Sequence, residues 1–150
     1  MMYDIMKKTR ENKELTQKDI SNILGISRST YAGWENGIDN IPLHRLNELC
    51  NYFDISLDYM CRLSNNKQYK DIKKRKINKK YLGKNLKETR LKHSHTQLVT
   101  SRIIHTNQSN YSRYEHGKNI IPTSIIIGFS KYYNVSIDYL CGKKKDSKII

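Results

Sequence analysis

Apolar residues recur along residues 16–37 with the spacing of two short helices. Ile20, Ile23 and Leu24 line one face of the first; Tyr31 and Trp34 continue the pattern on the second, and Gly25-Ile26-Ser27 separates them. Thr16 stands where an N-cap is expected, with Asp19 three residues on as a capping-box partner. Ser27 is placed to cap the next helix, and Gly37 to end it in a left-handed conformation. Further on, Pro42 suits the first position of a helix, and Leu43, Leu46, Leu49, Cys50 and Phe53 form a helical stripe. Ser56 is an N-cap candidate for a last short helix. The pattern predicts five helices, near 3–13, 17–24, 28–36, 43–53 and 57–60.

Two short helices joined by a tight turn containing Gly make a helix-turn-helix unit, and the unit returns. Adding 80 to a residue number pairs Thr9-Arg10 with Thr89-Arg90, Thr16-Gln17 with Thr96-Gln97, and Ser21, Ile23, Ser29 and Tyr31 with Ser101, Ile103, Ser109 and Tyr111. Glu35, Gly37 and Ile41-Pro42 meet Glu115, Gly117 and Ile121-Pro122, and Ser56, Asp58, Tyr59 and Cys61 meet Ser136, Asp138, Tyr139 and Cys141. No gap is needed, so the pattern is a tandem duplication of one small all-α domain. The expected organisation is a first domain over 1–62, a basic linker over 63–80, a second domain over 81–142 and a Lys-rich tail over 143–150. A domain of about 60 residues buries only ~60% of its unfolded surface, so mutual support between the copies, or dimerisation, is expected.

Charge changes the picture unevenly. The 150 residues carry a formal net charge of +14, which suggests a polyanionic partner. Yet residues 1–62 hold 8 basic and 9 acidic side chains (net −1), residues 63–80 hold 8 and 1 (net +7), and residues 81–150 hold 12 and 4 (net +8). Like charges along the linker repel, so it is expected to be flexible or helical only in part. Its r.m.s. span of about 23 Å, with a longer contour, would let one chain reach neighbouring turns of a duplex about 34 Å apart. The tail is expected to fray. Lys73-Lys74-Arg75-Lys76 reads equally well as a solvated run or as an arm along phosphates. Cys50, Cys61 and Cys141 form no CxxC pair, which argues against a disulfide framework and for reduced thiols in the cytoplasm. No apolar run reaches the roughly 20 residues of a membrane span. His93, His95, His105 and His116 lack companion ligands at metal-binding spacing, and no phosphate loop, paired carboxylates or nucleophile arrangement is present. Neither a metal, a cofactor nor enzymatic activity is expected.

With TQKDISNILGISRSTYAGWENG, Ile41-Pro42 and SLDYM in the first copy, and TQLVTSRIIHTNQSNYSRYEHG, Ile121-Pro122 and SIDYL in the second, both copies resemble the Cro/C1-type (lambda-repressor-like) helix-turn-helix family of phage and bacterial repressors. The resemblance implies two tandem five-helix DNA-binding domains. It implies that Gln17 and Gln97, with their helix N-termini, meet phosphates. It implies that the following helix lies in the major groove, with Ser27, Arg28, Ser29, Thr30 and Gly33 in one copy and Asn107, Gln108, Ser109, Asn110 and Arg113 in the other facing bases. Arg suits guanine, and Gln or Asn suits adenine; the two sets differ, so unlike half-sites are expected. Arg10 with Glu35, and Arg90 with Glu115, look like the family's internal ion pair; phosphate contact by each Arg is the alternative.

Two departures stand out: His105 replaces Gly25 in the turn, and Thr100 replaces Ile20 on the inner face. Ile126 and Phe129 should face inward like Leu46 and Leu49, whereas Ile125 and Ile127 should lie toward the surface, as a contact to a second chain or to the first copy. The expected function is sequence-specific double-stranded DNA binding as a transcriptional regulator, by default a repressor. The alternative is a protein-interaction or antitoxin-like module in which only the second domain binds DNA.

Overall fold

The computed structural model describes residues 2–150, and the regular structure among them is helical. The first copy comprises α1 (Met2–Asn12), α2 (Gln17–Leu24), α3 (Arg28–Glu35), α4 (Leu43–Phe53) and α5 (Leu57–Met60). The second comprises α6 (Lys79–Lys92), α7 (Gln97–Ile103), α8 (Gln108–Glu115), α9 (Thr123–Tyr133) and α10 (Ile137–Leu140). Five helices per copy are what the periodicity predicts. No helix among the described residues is long and apolar enough to cross a membrane.

Local chemistry sets the boundaries. Thr16 Oγ1 accepts from the Asp19 N–H at 3.0 Å while Asp19 Oδ2 accepts from the Thr16 N–H at 2.8 Å, a complete capping box. Val99 stands at the Asp19 position in the second copy, so Thr96 caps α7 without the reciprocal bond. Ser56 and Ser136 cap α5 and α10. Pro42 and Pro122 occupy the N-cap itself rather than the first helical position, and neither supplies a side-chain cap. In the turn, Gly25 has φ +69° and His105 takes the same left-handed conformation at φ +59°, so the non-glycine residue bends the second copy in the same way at some steric cost.

The buried apolar residues of both copies form one continuous cluster. Met6, Ile20, Tyr31, Leu46 and Leu49 fill the first copy, with Leu86, Tyr111, Ile126 and Phe129 at matching places in the second. All three cysteines are free and buried, and burial raises each thiol's pKa. Thr100 is also fully buried; its hydroxyl meets the Tyr133 hydroxyl at 2.8 Å.

The copies meet where α5 and α10 begin. Asp138 Oδ1 and Oδ2 accept from the backbone N–H groups of Leu57 and Asp58, each at 2.9 Å. In return, Asp58 Oδ1 accepts from the Ile137 N–H at 2.7 Å and Oδ2 from the Ser136 hydroxyl at 2.5 Å. Both aspartates are fully buried.

The spacer and tail differ from expectation. Between residues 63 and 78 the spacer forms no helix, and it is pinned rather than loose. Tyr69 is buried and donates from its hydroxyl to Asp58 Oδ2 at 2.6 Å; Asn47 Nδ2 donates to the Arg75 carbonyl, and the Lys73 N–H to the Lys143 carbonyl. The tail folds back likewise: the Ser136 N–H donates to the Ser147 carbonyl at 2.8 Å, as the Ser56 N–H does to the Lys67 carbonyl at 2.7 Å. The structural repeat therefore runs past residue 62 and past residue 142. Its side chains there share no pattern, because backbone carbonyls make the bonds.

Candidate nucleic-acid interface

Each copy builds a polar face on the second helix of its helix-turn-helix unit. In α3, Tyr31, Trp34 and Glu35 are buried, and Tyr31 packs edge-on against Trp34 with ring centres 6.5 Å apart. The same helix leaves Arg28, Ser29 and Thr30 exposed on the other side. In α8, Tyr111 and Tyr114 repeat the edge-on pair at 6.5 Å, and Gln108, Ser109, Asn110 and Arg113 are exposed.

Not every sequence-predicted reader has a free side chain. Ser27 Oγ accepts from the Thr30 N–H at 3.2 Å, and Asn107 Oδ1 from the Asn110 N–H at 2.7 Å, so both are helix caps as well as exposed residues. Gly33 is buried: a Cβ there would lie 2.7 Å from Asp39 Oδ2. The Asp39 side chain lies over its position, whereas its counterpart Arg113 projects an exposed side chain.

The polar faces rest on a buried ionic brace. Arg10 Nε and Nη2 donate to Glu35 Oε2 and Oε1 at 2.9 and 2.7 Å, a bidentate pair joining α1 to α3. Arg10 Nη1 donates to the Leu15 carbonyl at 2.8 Å. Arg90 repeats the arrangement with Glu115 at 2.6 and 2.9 Å and with the His95 carbonyl at 2.9 Å. Gln17 and Gln97 extend it: their amide nitrogens donate to Glu35 and Glu115 at 3.4 and 3.1 Å, tying in the first turns of α2 and α7. Burial opposes the charge on Glu35 and Glu115. The hydrogen bonds and positive charge of Arg10 and Arg90, with the weaker bonds from Gln17 and Gln97, outweigh it and hold both carboxyls below their ordinary pKa.

The second copy closes α6 onto α8 through Gly83. A Cβ at Gly83 would lie 2.4 Å from the Glu115 carbonyl oxygen, where the first copy carries Tyr3. Two of the histidines have structural partners: His93 Nδ1 bonds the Thr89 carbonyl and His95 Nδ1 the Tyr133 hydroxyl, each at 2.9 Å.

Lys73, Lys74, Arg75 and Lys76 are exposed, and Lys74 Nζ lies 3.4 Å from Asp54 Oδ1. Ile126 and Phe129 are fully buried, while Ile125 and Ile127 are half-buried. Ile127 lines a cavity of about 270 Å³ together with Met2, Ile41, Cys61 and Thr123.

Asp58 and Asp138 are repeat equivalents in the sequence, where nothing else marks them as partners. Their retention together was the available signal.

A helix-turn-helix family model (HTH_3) matches residues 6–60 and again residues 86–140, together well over half of the chain. The chain is similar to the uncharacterized HTH-type transcriptional regulator YqaE of Bacillus subtilis (strain 168), 35% identical over 79 residues that cover 52% of this chain and 68% of that protein. It is similar to the HTH-type transcriptional regulator ImmR of the same organism, 40% identical over 67 residues, covering 45% of this chain and 53% of the relative. It is also similar to the antitoxin PezA of Streptococcus pneumoniae serotype 4, 36% identical over 64 residues, covering 43% of this chain and 40% of the relative. The chain thus spans about half or less of the latter two proteins. No solved structure matches it.

Proposed function

The chain belongs to the helix-turn-helix family, and on that premise we propose that it is a sequence-specific, double-stranded-DNA-binding transcriptional regulator that acts as a repressor by occluding a promoter. One observation carries the reading: in each copy a buried Arg–Glu–Gln brace supports a helix whose opposite face is polar and exposed. A helix so presented fits the major groove. Arg28, Ser29 and Thr30 in one copy, and Gln108, Ser109, Asn110 and Arg113 in the other, read base edges. Gln17 and Gln97, at the starts of α2 and α7, approach phosphates, while Ser27 and Asn107, at the starts of α3 and α8, lie with the base-facing residues. Arg10 and Arg90 act inside the fold, since both are buried against carboxylates.

The units of this function are residues 1–62 and 81–142, with 63–80 as basic connector and 143–150 as tail. The protein works in the cytoplasm, by binding rather than catalysis. Ile125 and Ile127 serve a contact to the first copy or to a second chain.

A second reading has its own support: residues 1–62 carry net charge −1, and one relative is an antitoxin. In that reading the first copy binds protein and only the second binds DNA. A selection from random duplexes with the intact chain tests the main reading, with an enriched motif as the expected result and no enrichment as its refutation. Repeating it with Arg28, Ser29 and Thr30 changed to Ala separates the two readings. The motif loses part of its information in the first reading and none in the second.

A further inference from the structure

The copies are a direct repeat in sequence, but they meet as an inverted pair. Asp138 accepts the N–H groups at the start of α5, and Asp58 accepts an N–H at the start of α10. Each copy thus presents the same patch to the other, the reciprocity of a two-fold, isologous contact; a head-to-tail arrangement would join two different patches. The patch is fully occupied: Leu57, Asp58, Ile137 and Asp138 are all 0% exposed, so no second chain can use it. The connector is fixed on both sides. Tyr69 bonds Asp58, and Lys73 bonds the backbone of Lys143.

We propose that one chain, alone, reads an operator made of two unlike elements in inverted orientation at a fixed separation; this rests on the DNA-binding reading above. A duplex has local two-fold axes, so two readers related by a two-fold meet inverted elements, whereas readers related by translation meet direct repeats. The elements are unlike because the readers are: Arg28, Ser29 and Thr30 against Gln108, Ser109, Asn110 and Arg113. Because the pairing is intramolecular, both readers are present at every protein concentration, and binding needs no prior association between chains. Asymmetry in the readers also gives the bound complex a direction along the DNA, which a pair of identical readers lacks.

The test uses the intact chain and a variant in which the second reader copies the first: Asn107→Ser, Gln108→Arg, Asn110→Thr and Arg113→Gly. Random-duplex selection with the variant is expected to return a palindrome; a direct repeat overturns the proposal. For the unaltered chain, native mass spectrometry on the selected duplex is expected to show one chain per duplex. Inserting half a helical turn (about 5 bp) between the elements is expected to weaken binding at least tenfold. Two chains per duplex, a motif with a single element, or indifference to the insertion each overturns the proposal even if the variant fails to fold, and leaves DNA binding intact. Absence of any enriched motif overturns the DNA-binding reading itself, and the proposal with it.

Discussion

The hydroxyls of Thr100 and Tyr133 lie 2.8 Å apart in the core of the second copy, where the first copy carries Ile20 and Phe53. Tyr133 also meets His95 Nδ1 at 2.9 Å, at the position of Leu15. An apolar trio has been exchanged for a polar one without leaving the Thr100 hydroxyl unpaired. Removing one member should therefore cost more than removing both. Tyr133→Phe alone orphans a fully buried hydroxyl, a loss of about 1–3 kcal/mol. The double change Thr100→Ile/Tyr133→Phe moves one heavy atom across the contact and should recover most of it. Urea unfolding of the two singles and the double gives the coupling; strict additivity would show that the two hydroxyls do not interact.

The Arg–Glu brace makes a second expectation. Glu115 has a side chain only 1% exposed and receives two bonds from Arg90. Glu115→Ala leaves the guanidinium of Arg90 buried without its partner, a change that typically costs about 3–5 kcal/mol. The midpoint of thermal unfolding should drop accordingly. A melt unchanged from the parent would assign Arg90 a role other than the brace.

Stability should peak on the acid side of neutrality. Burial, and then the neighbouring Asp58, push Asp138 up to about 7, against the pull of Lys143 and the N–H groups of Asp58 and Leu57. Between the ordinary aspartate value of about 3.9 and that point, the folded chain holds a proton that the unfolded chain has released. This contribution to stability is full at low pH and is lost as pH rises toward 7. Glu35 and Glu115 act oppositely: their folded values are depressed, so their contribution is present above about 4.3 and fades on acidification. Urea midpoints should thus be highest between about pH 4 and 5, fall toward pH 7, and lose that falling limb in Asp138→Asn. A limb of unchanged slope in the variant would mean that another group titrates.

The helices were legible because local chemistry fixes them: the Thr16 and Ser27 caps, the Gly37 stop and the Leu43–Phe53 stripe act over a few residues. The Arg10–Glu35 and Arg90–Glu115 contacts were legible through repetition. What stayed hidden depends on partners far along the chain. Thr100 looked like a flaw because Tyr133 lies 33 residues away. Asp58 and Asp138 sit 80 residues apart, and identical acids at equivalent positions carry no sign that they face each other. The spacer looked loose because its charges point outward, while Tyr69 and the carbonyls of Lys67 and Arg75 hold it down. Gly33 looked like part of the polar face because its cover, Asp39, comes from beyond the helix.

Base reading by the two exposed faces predicts losses that differ in kind from those of phosphate contacts. Arg28 and Gln108 are exposed at the first positions of α3 and α8. If each makes a paired contact with a base, its replacement by Ala should cost about 1–3 kcal/mol of discrimination at one base pair and leave the preference elsewhere intact. Lys73→Gln or Lys76→Gln, by contrast, should weaken every sequence alike and flatten the dependence of log K on log salt by roughly 0.9 for each phosphate no longer neutralised. Competition binding against duplexes carrying each single-base change, repeated at two salt concentrations, separates the two. Should Arg28→Ala weaken all duplexes equally, the arginine grips the backbone, and the first copy positions the protein without reading sequence.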